Sequence, residues 1–144
     1  MPKLVWSVVC KQAITDELSR NVSLVEVVEQ IQVMGSDARA MNPILLPCCV
    51  VNLWTRTTWD EPETAVQRLR WLMPNGNSVV GPESIVRLDP TRRVRIIIEV
   101  GELSTCGTGV YYFKTEARRE DSQEWIEHGR TPIQIDWVES KSVS

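Results

Sequence analysis

Helical periodicity is what this 144-residue chain lacks most. No stretch of convincing length repeats its apolar residues at i, i+3, i+4 and i+7, so a helical bundle or an α/β fold is excluded. No run reaches the roughly 18 apolar residues that a membrane-spanning helix needs. Histidine is down to one, His128, which leaves little for a histidine-based metal or acid–base site. The four cysteines, Cys10, Cys48, Cys49 and Cys106, form no Cys-x-x-Cys pair, which argues against structural zinc. They read as buried or half-buried free thiols of a reducing compartment. There is no basic surplus either. Lys and Arg total 16 against 19 Asp and Glu, a net charge of -3, which argues against a dedicated nucleic-acid binder. Gly107-Thr108-Gly109 has neither the spacing nor the following helix of a phosphate-binding loop. Before Cys10 the apolar stretch is too short for a secretory leader, so a cytoplasmic protein is expected, without cofactor or membrane contact.

What is present is a succession of strand-like runs divided by turns. Residues 4–12 are β-rich. Residues 22–33 read as one long strand whose alternation shifts phase at Val27-Val28, the mark of a bulge. Residues 44–55 form a third run, interrupted by Pro47. In 65–73, Ala65, Leu69, Trp71 and Met73 share a side that Gln67 breaks, with Arg68 and Arg70 opposite. Asn75-Gly76 marks a turn, because both residues tolerate positive φ. In 93–100, Val94, Ile96, Ile98 and Val100 share a face. Arg93, Arg95 and Glu99 take the other, with Ile97 as the exception. Residues 110–117 make its hairpin partner. A short strand at 124–128, a turn at Gly129-Arg130 and a last strand at 132–138 follow. The expected fold is all-β, a single antiparallel β-sandwich of about seven to nine strands over residues 1–138, with a polar tail at 139–144.

Three segments carry a resemblance. Val8-Val9-Cys10 with the turn from Thr15 to Asn21 and the run Val22 to Ile31 is one. Arg68-Leu69-Arg70-Trp71-Leu72-Met73-Pro74-Asn75-Gly76 is another, and the 93–117 hairpin is the third. Together they resemble a group of small uncharacterised bacterial β-sandwich domains. The resemblance implies a bacterial, cytosolic β-sandwich and carries no functional residue.

Reactive groups are sparse. Cys106, in a loop of small residues, is the best nucleophile, but no helix N-terminus or cation is in view to activate it. His128 reads as a surface residue on a turn. Asp60, Glu61 and Glu63 share one loop and Glu120 and Asp121 another, a pattern that fits solvated turns better than a calcium site. The outward-pointing features are tryptophans and arginines. Trp54, Arg56 and Trp59 make a candidate contact patch for carbohydrate or another small ligand. Arg68, Arg70, Arg93 and Arg95 would make a basic face if their strands were neighbours, which suits single-stranded nucleic acid. Trp6, Trp71 and Trp137 are assigned to the core. The leading expectation is a non-catalytic protein–protein interaction or scaffold module that self-associates through strand edges, with a protein partner or a second copy as its ligand.

Overall fold

In a computed structural model, residues 1–35, 42–58, 60–89 and 92–139 are described. They form ten strands and, among the described residues, no helix. In chain order these are β1 (Lys3–Thr15), β2 (Val22–Val27), β3 (Gln30–Gly35), β4 (Asn42–Thr55), β5 (Glu63–Leu72), β6 (Ser78–Val80), β7 (Ser84–Leu88), β8 (Arg93–Thr105), β9 (Gly109–Arg118) and β10 (Ile126–Glu139). One sheet has four antiparallel strands in the order β2-β1-β4-β8. The other has the order β3-β10-β9-β5-β6, with β7 also paired to β5.

The all-β expectation holds, and two of its details need correcting. Ten strands are described: Gly81-Pro82 separates β6 from β7, the run at 22–33 divides into β2 and β3, and the runs at 124–128 and 132–138 join as β10. The second sheet is mixed, because β3 runs parallel to β10, Gln30 opposite Gln134. The last strand is also longer than expected. It begins at Ile126 and passes through Gly129-Arg130 by a register shift between Glu127 and Gly129. A bulge absorbs what looked like a turn. A Cβ on Gly129 would lie 3.3 Å from Leu4 Cδ2, so the missing side chain lets β10 approach β1 closely.

The inner faces of the two sheets share one core. Val9, Cys48 and Val50 come from the first, and Leu69, Trp71, Tyr111, Phe113, Ile133 and Ile135 from the second. Trp71 stacks on Tyr111 at 5.1 Å and tilts against Phe113 at 4.7 Å. Its indole N–H, which an apolar core cannot satisfy, donates to the Ser104 carbonyl at 2.8 Å. A second cluster lies around Trp54 with Ala65, Val86, Leu88 and Ala117.

The phase shift at Val27-Val28 is where the chain changes sheets. Glu26 takes a left-handed conformation (φ 55°), which turns β2 out of its sheet. The Val28 N–H then donates to the Val9 carbonyl on β1. One residue on, the Glu29 carbonyl accepts from Gln134 on β10. Val28 is buried at the crossing, and Ile31 and Val33 pack on the inner core.

Strand β4 explains why the run at 48–54 is apolar apart from Asn52, since every residue there is buried. A strand covered on both faces has no reason to alternate. Cys48 and Val50 face the inner core. Cys49 and Val51 join Cys10 on the outer face, where Trp6, Ala13 and Leu24 pack over them. That cover is the β1–β2 hairpin, curled back across its own sheet. Arg95 on β8 donates to the Arg20 carbonyl at the hairpin turn. The turn is held by Asp16, whose Oδ1 accepts the N–H groups of Leu18 and Ser19, both at 2.8 Å. These bonds hold the Asp16 carboxyl below its ordinary range.

Candidate functional site

Trp54 is not a contact residue. It is fully buried, and its Nε1 donates to Gln67 Oε1 at 2.7 Å. Asn52 Nδ2 donates to the same oxygen at 3.2 Å and to Thr115 Oγ1 at 3.3 Å. Gln67, the residue that broke an otherwise apolar face, therefore serves as the acceptor for two buried donors from the facing sheet. A large aromatic with one polar atom can be buried when a partner meets that atom. Of the predicted contact patch of Trp54, Arg56 and Trp59, Trp54 is thus inside the fold. Trp59 lies outside the described residues. Arg56 is half-buried and lines a cleft of about 240 Å³ with Thr57, Thr58 and Arg93.

The basic face does not assemble either. Arg68 and Arg70 are on β5 and Arg93 and Arg95 on β8, in different sheets. On β5 the two guanidinium groups converge on Glu116 of β9. Arg68 Nε lies 2.9 Å from Glu116 Oε1, and Arg70 Nε lies 3.1 Å from Oε1 and 3.2 Å from Oε2. Glu116 is 7% exposed, so it is a half-desolvated anion matched by two cations. Arg70 also donates to Ser78 Oγ at 2.9 Å. Trp125 caps the cluster, its ring 3.9 Å from the Arg68 guanidinium carbon and 5.2 Å from that of Arg118. These arginines brace β5, β9 and the 118–125 connection, and their charge is spent within the fold.

The acidic loops do meet. Glu63, Glu120 and Asp121 line one open cleft of about 440 Å³, with Met1 and Arg119. Glu63 is already engaged. Its Oε1 accepts from the Thr57 N–H at 2.6 Å, Thr57 Oγ1 at 2.8 Å and the Thr58 N–H at 3.0 Å. Its Oε2 lies 3.1 Å from the Met1 ammonium. Burial opposes ionisation, but these donors and the ammonium outweigh it and hold the carboxyl down to about 2. The described residues contain no group of three or more His, Cys, Asp or Glu side chains placed to hold a metal ion.

Cys106 and His128 occupy other surroundings. The Cys106 N–H donates to the Tyr111 hydroxyl at 2.9 Å, and that hydroxyl donates to the Gly107 carbonyl at 2.6 Å. The loop is thus clamped from inside, and burial pushes the Tyr111 phenol up to about 12. His128 is in strand β10, not on a surface turn. It meets the Trp54 ring edge-on at 5.2 Å, and its Nε2 has no hydrogen-bond partner among the described residues. Burial and then the N-terminal charge hold the imidazole below its ordinary value. No hydrogen bond joins it to a nucleophile among the described residues.

The unspent features lie on the outer face and free edge of the first sheet. β8 is 13 residues long and, among the described residues, pairs only with β4, on one side. The other sheet edges are shorter: β2 and β3 have 6 residues each, and β6 and β7 have 3 and 5. Ile97, the apolar exception of its face, lies opposite Val51 and is 41% exposed. Glu99 and Arg95, which also donates to the Arg20 carbonyl, flank it on the same face, opposite Cys49 and Leu53. Beside the edge, Trp71, Val79, Pro82, Ile98 and Phe113 line an apolar cleft of about 200 Å³ between the sheets. Sequence reasoning found the charges of β8 but paired them with the wrong strand. It missed the free edge, because strand order is not written in any one strand.

No protein-family model matches this chain, and no curated protein matches its sequence. Among the described residues no helix is long and apolar enough to cross a membrane.

Proposed function

We propose that the chain is a β-sandwich module, kin to small bacterial domains of that architecture, that acts without catalysis by associating with a second copy of itself along β8. One observation carries the reading: the sequence along this long free edge is complementary to itself. An antiparallel pairing with a second β8 about a two-fold axis through Ile97 sets Ile97 on Ile97. It sets Arg95 on the partner's Glu99 at both ends of the contact. On the inner face it sets Ile96 on Ile98 and Val94 on Val100. Isologous pairing of this kind uses one patch twice and closes at the dimer. Charges on an edge strand usually discourage pairing. Opposite charges placed symmetrically about an apolar centre discourage every register except their own. The result is an eight-stranded sheet across two copies.

Sedimentation velocity over a concentration series tests this. A dimer is expected, dissociating in Glu99→Arg and recovering in the double variant Arg95→Glu/Glu99→Arg, where the pairs are restored with reversed sign. A wild-type protein that stays monomeric at high concentration rejects the reading. So does a dimer indifferent to both variants.

A further inference from the structure

From the outer face of the first sheet we infer a second property, independent of self-association: Cys10 and Cys49 form a dithiol that a peroxide converts to an intramolecular disulfide without rearrangement of the fold. The two residues lie directly opposite each other on β1 and β4. Their sulfurs are 3.6 Å apart, in contact. Opposed residues of an antiparallel pair have Cα atoms roughly 4.5–5.5 Å apart, inside the range of about 4.4–6.8 Å that disulfides span. Closing the bond asks for side-chain rotation and a small approach, with no change of register.

The neighbouring Cys48 is on the same strand and is excluded by the pleat. It faces the inner core, and Cys49 faces outward. Cys106 is held in its own loop by Tyr111. The pairing is therefore specific among four thiols.

Access is asymmetric, and this sets the order of the steps. Cys10 is 0% exposed and Cys49 6%. Cys49 lines an open cleft of about 660 Å³, with Lys11 and Glu99 at its sides; Cys48 borders the same cleft but packs in the inner core. A small oxidant meets Cys49 first. The Cys49 thiolate attacks one peroxide oxygen, the O–O bond breaks, and sulfenic acid and hydroxide form. The Cys10 sulfur then attacks the sulfenic sulfur. The S–O bond breaks, the departing hydroxide takes the Cys10 proton, and water leaves. The proton that Cys49 gives up in becoming a thiolate ends on the hydroxide of the first step, so two thiols lose two electrons and one peroxide becomes two waters. Burial pushes the Cys10 thiol up to about 11, which suits a group that stays protonated until its partner is activated.

Native protein exposed to hydrogen peroxide, then denatured, alkylated without reduction and digested, gives the test. The expected product is one linked peptide pair holding Cys10 and Cys49, lost on treatment with dithiothreitol, with Cys48 and Cys106 alkylated. In Cys10→Ala the expected end product is over-oxidised Cys49. Should that variant fail to fold, peptide mapping of the wild type decides alone. Full alkylation of Cys49 after peroxide overturns the inference. So does over-oxidised Cys49 in the wild type, or a linkage to Cys48 or Cys106.

Discussion

Replacing Glu63 by glutamine removes one charge and leaves the shape of the side chain. In the folded protein this carboxyl titrates near about 2 instead of its ordinary 4.5. A displacement of that size corresponds to at most ~3 kcal/mol of stability at neutral pH. The Thr57–Thr58 segment is open to water, so screening brings the expected cost of Glu63→Gln to ~1–2 kcal/mol. The sign follows from linkage. A depressed carboxyl stabilises the fold above its unfolded value, and that contribution fades as pH falls from about 4.5 towards about 2. Urea unfolding followed by tryptophan fluorescence, at a series of pH values, measures it. The wild type is expected to lead at neutral pH by ~2–8 °C in a parallel thermal melt, and the two proteins to converge near about pH 2. A gap that persists unchanged to acid pH would show that the Glu63 charge is not its source. Equal stability at neutral pH would refute the reasoning outright.

Two further outcomes are expected. His128 has a folded pKa below its unfolded value, so the unfolded chain binds the extra proton; stability should be full above about pH 6.5 and decline as pH falls below it. His128→Phe, which keeps a ring against Trp54, should remove that part of the slope, and urea midpoints between about pH 7.5 and pH 5 will read it. Gln67→Leu strands the Trp54 and Asn52 donors and should cost ~2–4 kcal/mol in equilibrium unfolding, against under ~1 kcal/mol for a substitution at exposed Arg93.

The strands themselves were legible because alternation is local. Val94, Ile96, Ile98 and Val100 do share the inner face of β8, and Ile97 is apolar because it lies across from Val51 on the outer one. Gln67 was visible as a flaw in an apolar face, and the flaw marked the buried network. The reading of Val27-Val28 as a bulge located the right residues. It missed that the chain changes sheets there, since a bulge and a crossing leave the same shift in phase. Trp54 was misplaced for a related reason. Its place at the end of the 44–55 run, near Arg56 and Trp59, suggests an outward position, while burial depends on Gln67 meeting the indole from the other sheet. The arginine face failed because Arg68 and Arg70 answer to Glu116, and a single strand cannot announce its neighbour. Trp59 and most of the polar tail fall outside the described residues.

The parallel pairing of β3 with β10 joins segments near opposite ends of the chain. On a ribosome, β3 leaves the tunnel well before its partner β10 is made. Until then Ile31 and Val33 have a core with no second wall. Synthesis must therefore pass β10 before the outermost strand of the larger sheet can dock, and a chain stalled before residue 126 would present β3 to whatever strand is nearby. A truncated product is the form in which this protein is most exposed to aggregation.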